Sequence, residues 1–243
     1  TPLPLRLLTR WRPRLLRPPT PWRPRLPRKR SKLLFSIELR KGRPPGRPFF
    51  VLDTSMTGPD LALDWTDDGQ PRSRQFGDVY FSAQDGLAEA RAVFLQGCGL
   101  PAAWSGRRQF VVGELGFGTG LNIAALLDLW RQTRPSDGVL NIFSIEAFPL
   151  GEADAARALA QWPELAGISQ LLTSRWPGRA RGRHRVDLPE LNAVLDVAVM
   201  DVGEALASWS GRADAWFLDG FSPSLNPRMW TDEVLRLVGA RSA

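Results

Sequence analysis

The sequence predicts an α/β fold built on a parallel, doubly wound sheet, on three observations. From residue 109 onward, apolar β-branched runs alternate with segments of helical periodicity. The first of these runs passes straight into glycines, as QFVVGELGFG. Later apolar runs close on acids, at Glu146, Asp201 and Asp219. A strand–helix–strand–helix order requires right-handed crossovers and hence parallel strands. Such sheets bind ligands outside the carboxyl ends of their strands.

The elements divide the chain into three parts. Residues 1–48 are Pro- and Arg-rich, as in RWRPRLLRPPTPWRPRLPRKR. Prolines at that density interrupt helices and remove donors that strands need, so this part is expected to be disordered. It holds 15 of the 32 basic residues against one acid, Glu38, whereas residues 49–243 hold 17 against 24. The formal net charge of +7 is therefore a property of the leading segment. It reads either as an RNA-binding arm, with arginines for phosphates and Trp11 and Trp22 for stacking, or, more simply, as upstream sequence without an evolved role.

Residues 49–108 form the second part. A short β-rich lead-in is expected over 49–75, with a turn at Asp67-Asp68-Gly69. After DVYFS (78–82), Leu87, Ala90, Val93 and Phe94 share one helical face, which ends near Gly97-Cys98-Gly99. Residues 109–243 form the core. Within it, LNIAALLDLWRQ (121–132) is a helix, LNIFSIEAF (140–148) a strand, and 152–161 a second helix. HRVDLPEL (184–191) and AVLDVAVMDV (193–202) either pair as a hairpin or bracket a third strand. ADAWFLDGF (213–221) is a further buried strand. Thr231 caps a last helix, TDEVLRLVGA, with acids in its first turn. A complete sheet of this type needs about three more strands, so the sequence reads as a fold whose last strands are missing.

Composition narrows the setting. Apolar residues make up 43% of the chain, enough for a substantial core. A single cysteine, Cys98, forbids an internal disulfide framework, and a single histidine, His184, argues against a metal site. No apolar run reaches membrane-spanning length and no secretory signal is visible, so a cytoplasmic protein with no membrane partner is expected.

The main motif is Glu114-Leu-Gly116-Phe-Gly118-Thr-Gly120-Leu-Asn122, between a strand and a helix. Glycines there allow a sharp bend and close approach of a ligand, and the helix N-terminus favours an anion. A dinucleotide fingerprint would place its third glycine at Leu121, which disfavours a dehydrogenase. The Gly-x-Gly-x-Gly spacing behind an acid instead resembles the first motif of S-adenosylmethionine-dependent methyltransferases. Glu146, ending the second strand, suits a pair of ribose hydroxyls. Asp201 suits the adenine amino group or the substrate. Asp219, Phe221 and Pro223 loosely resemble the acid, aromatic and proline that follow the fourth strand in several amino-group methyltransferases. A carboxylate beside an aromatic face suits an amine. An ordinary Gly-rich turn, a solvated acid and a capped loop are the plainer alternatives for these three features.

Four segments together carry a more specific resemblance: FGDVYFSAQDGLAEARAVFLQGCGLPAAW (76–104), GELGFGTGLN (113–122), FSIEAFPL (143–150) and DAWFLDGFSPSLNPRMW (214–230). Over about residues 72–238 the chain resembles the methyltransferase domain of bifunctional tRNA 5-methylaminomethyl-2-thiouridine biosynthesis proteins. The resemblance implies a Rossmann-like S-adenosylmethionine-dependent methyltransferase fold. It also implies methylation of the aminomethyl nitrogen of a modified wobble (2-thio)uridine in tRNA. S-adenosylmethionine would be the methyl donor. The family's FAD-dependent oxidoreductase domain has no counterpart in the sequence, so no FAD is expected in this chain and a separate oxidoreductase would act earlier.

By the same resemblance, Glu114, Gly116, Gly118, Gly120, Asn122, Glu146 and Asp201 line the cofactor site. Asp219 and Phe221 face the transfer centre, and Asp219, or Asp201 through a water, is the candidate proton acceptor. Tyr80, Phe81, Ser82, Asp85, Gly86 and Glu89 close over the substrate amine. The chain departs from the family at Cys98, Ala147, Met200 and Leu225, where members carry Asn, Lys, Gly and Lys; the lost lysines would weaken contact with RNA phosphates. The rival readings are a non-catalytic remnant, which predicts no cofactor binding, and a methyltransferase for a small-molecule amine, which predicts activity independent of tRNA.

Overall fold

The computed structural model describes residues 63–82 and 85–243. The expectations for residues 1–48, and for 49–62 of the lead-in, lie outside the described residues.

The lead-in forms an antiparallel pair, β1 (Leu63–Trp65) and β2 (Pro71–Ser73). The turn between them falls at Asp67-Asp68-Gly69, with Gly69 at φ +80° and its amide donating to the Thr66 carbonyl at 2.8 Å. The helical face that follows is one continuous segment, α1 (Gly86–Glu89) running into a wider π-helical stretch at Ala90–Gln96. It stops at the expected glycines, where Gly99 takes φ +72°.

The main sheet has five strands: β3 (Gln109–Leu115), β4 (Val139–Glu146), β5 (Gly182–Leu188), β6 (Ala193–Val199) and β7 (Ala215–Leu218). Their order across the sheet is β5-β6-β4-β3-β7. β6, β4, β3 and β7 run parallel, and β5 folds back antiparallel onto β6. Of the two alternatives for residues 184–202 the hairpin is realised, with no strand between the two runs, and β6 is also the third parallel strand. Among the described residues, β5 and β7 are the two edges.

Helices cover both faces. α2 (Leu121–Thr133) and α4 (Ala166–Thr173) pack on one side with the π-helical segment, against Phe110 and Val112 of β3 and Leu140 and Ile142 of β4. On the other side, α5 (Val202–Ser208) and α6 (Asp232–Ala240) cover Leu115, Phe143 and Ile145. Alternate residues of one strand thus feed two cores, as a sheet buried on both faces requires. α3 (Glu152–Leu159) follows β4 and leads to α4. Thr231 caps α6 as expected, its hydroxyl accepting from the Val234 amide at 3.3 Å.

Candidate cofactor and transfer site

The parallel strands all end at one rim, and the glycine bend stands at its centre. Gly116, Gly118 and Gly120 take φ of +92°, +53° and +76°. The bend is clamped from β4, since the Ile145 carbonyl accepts from the amides of Gly116 at 2.9 Å and Phe117 at 3.2 Å. Glu146 points into it: one carboxylate oxygen accepts from the Gly118 amide at 2.9 Å and the other from Phe148 at 2.8 Å. A carboxylate has further lone pairs, so these bonds leave capacity for a ligand's hydroxyls. Gly120 precedes α2 with no side-chain cap on the helix amides, which keeps an anion site at that end.

Glu114 lies fully buried beneath the bend. The Ser144 hydroxyl, its register partner on β4, donates to one carboxyl oxygen at 2.5 Å. The other oxygen is buried and has no hydrogen-bond partner among the described residues. An orphaned buried oxygen beside an anion site suits a ligand carrying an amine next to a carboxylate. Burial pushes the Glu114 carboxyl well above the usual carboxylate range; Asp219 and Glu146 add to the shift, while the Ser144 hydroxyl and the nearby Asn122 amide oppose it. Burial also raises Glu146, against the amides of Gly118, Phe148 and Ala147.

These shifts have a sign in stability. An acid that keeps its proton in the fold after losing it in the unfolded chain contributes stability that is full below the ordinary value of 4.5 and is lost as pH rises through the folded value. The parent chain should therefore lose unfolding free energy as pH rises above 4.5, and Glu114→Gln should flatten that decline. Urea denaturation across this range checks it. An equally steep decline in the variant would show that Glu114 is not the group responsible.

Asp219 follows β7, with its amide donating to the Leu115 carbonyl at 3.1 Å. The Asn122 side-chain amide donates to its carboxylate at 2.8 Å. Glu114, Asn122 and Asp219 thus form one polar group under the bend. Asp201 does not join them. It follows β6, three strands from β7, or about 14 Å at ordinary strand spacing. Its carboxylate accepts from the Gly203 amide at 3.0 Å, capping α5, and pairs with Arg228 at 3.1 Å.

The segment expected to close over an amine divides between jobs. Tyr80 faces the site, and a Cβ on Gly118 would sit 3.2 Å from its ring. Burial first, then the charge of Glu146, drives the Tyr80 phenol up, so it stays neutral. Its ring meets Phe221 at 5.1 Å, and Phe76 bridges Phe221 at 4.8 Å to Phe148 at 5.5 Å. Phe81 points instead into the core, packed on Trp162 at 4.6 Å, and Gly86 is buried where a Cβ would press on both. Ser82 and Asp85 serve the start of α1, their carbonyls accepting from the amides of Gly86 and Glu89. Glu89, half-buried, closes α1.

Sequence reasoning missed Phe76, Phe148, Ser144 and Arg228. Phe148 lay within an expected strand, two residues past Glu146, and that placement was the available signal. Ser144 was detectable only through register, as the donor that a buried acid on a neighbouring strand requires.

A family model described as S-adenosyl-L-methionine-dependent methyltransferase matches residues 163–243, which run from before β5 to the end of the chain and exclude the glycine bend. The chain is 70% identical over 181 residues to the tRNA 5-methylaminomethyl-2-thiouridine biosynthesis bifunctional protein MnmC of Caulobacter vibrioides, and 53% identical over 180 residues to that of Maricaulis maris. Each match covers 74% of this chain and 31% of the relative, so the chain spans about a third of the length of these relatives. The crystal structure of MNMC2 from Aquifex aeolicus superposes with a TM-score of 0.59 at 26% identity, covering 74% of this chain and 56% of that one. The resemblance drawn from the four segments holds in these matches, and the fold is that of an S-adenosylmethionine-dependent methyltransferase.

Proposed function

We propose that this chain is the methyl-transferring part of a tRNA-modifying enzyme, acting from S-adenosylmethionine onto the aminomethyl nitrogen of a wobble (2-thio)uridine. The observation that carries the reading is the polar group of Glu114, Asn122 and Asp219 beneath a three-glycine bend, in a chain 70% identical to such a relative. The bend and the helix amides would hold the donor's carboxylate, Glu114 its amine, and Glu146 its ribose. Asp201, on the β6 side, would stand toward the adenine. The donor, when bound, supplies a methyl group on a sulfonium.

The chain's own residues would do the rest. A free alkylamine is largely protonated near neutral pH and is no nucleophile until it loses that proton. Asp219 would accept it, held in place by Asn122. The Tyr80, Phe221, Phe76 and Phe148 rings would flank the amine, exclude water and favour its cationic form on arrival. Holding nitrogen, methyl and sulfur in line would supply most of the rate gain. An FAD-dependent oxidoreductase activity would expose the amine beforehand. The described residues include no helix long and apolar enough to cross a membrane, and a cytoplasmic site of action suits a tRNA substrate.

Titration calorimetry with S-adenosylmethionine should show one site in the micromolar range, ~1–100 µM. Methyl transfer should then require tRNA carrying the aminomethyl group. Absence of donor binding would favour a non-catalytic remnant. Transfer to small amines that is indifferent to tRNA would favour the small-molecule reading.

A further inference from the structure

We propose that the turn into β5 and the strand's first residues, bearing Arg179, Arg181 and Arg183, form a docking surface for RNA backbone phosphates. The proposal rests on the tRNA reading and locates where that partner would be held.

Residues 49–243 are acidic overall, with 17 basic residues against 24 acids. Five of those 17 are arginines within Arg175–Arg185. Topology gives the cluster its meaning. β5 runs antiparallel to the rest, so its beginning lies where the parallel strands end: Gly182 pairs with Val199, and Val199 pairs with Glu146. The arginine-bearing turn is therefore on the same rim as the glycine bend, two strand spacings or about 10 Å from Glu146. Placed at the far end of β5, the same charges would be remote from the site.

Arg181, Arg183 and Arg185 alternate along the strand and turn their side chains to one face, over α5. Arg181 pairs with Glu204, Arg183 donates to the Ser208 hydroxyl at 3.0 Å, and Arg185 reaches Asp187 at 3.0 Å and Asp196 at 3.9 Å. Arg228, paired with Asp201, stands at the same rim. The acids facing the patch are thus Glu204, Asp201, Asp196 and Asp187. These ion pairs are solvent-exposed, and such pairs contribute little, so a guanidinium can exchange its partner for a phosphate at little cost. Guanidinium groups suit phosphate oxygens through paired N–H donors. An edge strand also needs charge to discourage pairing with other chains, which is the competing account of these arginines.

The test compares the full chain with a variant carrying R179A, R181A and R183A. Fluorescence anisotropy would follow binding to unmodified tRNA across a salt series, and S-adenosylmethionine affinity would be measured separately. The proposal expects tRNA affinity to fall ~10-fold or more at low salt, and the slope of log affinity against log salt to shrink by about 2 to 3, with donor affinity unchanged. Reversing Arg181 and Arg183 to Glu should weaken tRNA binding further. Unchanged affinity and slope would overturn it, including where residues 1–48 carry all of the RNA binding. Loss of solubility at unchanged tRNA affinity would also overturn it, in favour of edge protection. A parent chain that binds tRNA but no S-adenosylmethionine would defeat the methyltransferase reading while leaving this surface standing.

Discussion

Replacing Asp219 with alanine is expected to lower methyl transfer by roughly 10²- to 10⁴-fold while leaving S-adenosylmethionine affinity within about threefold. The expectation follows from where the carboxylate stands. It lies at the rim, on the β7 side of the bend, bonded to Asn122 and backed by the buried carboxyl of Glu114. Glu114 is fully buried beneath the bend, where it would face the donor's amine and not the substrate's. Glu146 has its oxygens on the amides of Gly118 and Phe148, where it shapes the bend. Asp201 is three strands away, engaged with Gly203 and Arg228. On the proposed reading Asp219 would be the acid that takes the proton. Single-turnover rates at saturating donor and tRNA read the effect directly. A variant that transfers at the parental rate would remove Asp219 from the role. Loss of donor affinity equal to the loss of rate would reassign it to cofactor binding.

How far the sequence reaches is clearest in particular residues. The apolar run of β3 ends in glycines, and α2 follows at once, because a strand buried on both faces and a helix with a wide apolar surface both leave a plain pattern. β4 and α6 are legible for the same reason, although β4 stops at Glu146, two residues short of the expected strand. α5 was not separated from β6, because VGEALAS is short and follows an apolar strand without a break; Asp201 read as the end of a strand when it is also a helix cap. α4 was overlooked because AGISQLLT is brief and lies between Pro163 and Pro177. What could not be read at all depends on strand order. Ser144 meets Glu114 only because β4 lies beside β3 in that register. Phe76 and Phe148 meet only because the lead-in returns to the rim where β4 ends. The arginines at the start of β5 gain their position only from strand direction: β5 is antiparallel, which carries its first residues to the ligand end.

Among the glycines of the described residues, Gly116 is where an added methyl group should be most damaging. Two independent costs meet there. The backbone stands at φ +92°, in the left-handed region, where an L side chain costs about 1–2 kcal/mol. The added carbon would also fall 2.0 Å from the Asp219 carbonyl oxygen, and this is backbone, not a side chain that can swing aside. Neither strand can yield alone. The Gly116 amide is bonded to Ile145 on one flank, and the Asp219 amide is bonded to Leu115 on the other. Relief would require β7 to part from β3, which carries Asp219 away from Asn122 at the same time. We expect a loss above ~3 kcal/mol in urea denaturation, together with loss of measurable S-adenosylmethionine binding. Gly167→Ala is the matched control: this glycine lies in α4 with nothing within 4 Å of the added carbon, and the change should stabilise by ~0.5–1 kcal/mol. The contrast matters because both variants add the same atoms. If Gly116→Ala keeps parental stability and donor affinity, then β3 and β7 do not end as closely as described. The bend would then lack the tightness that places Asp219 over Asn122, and the proposed transfer centre would lose its geometric basis.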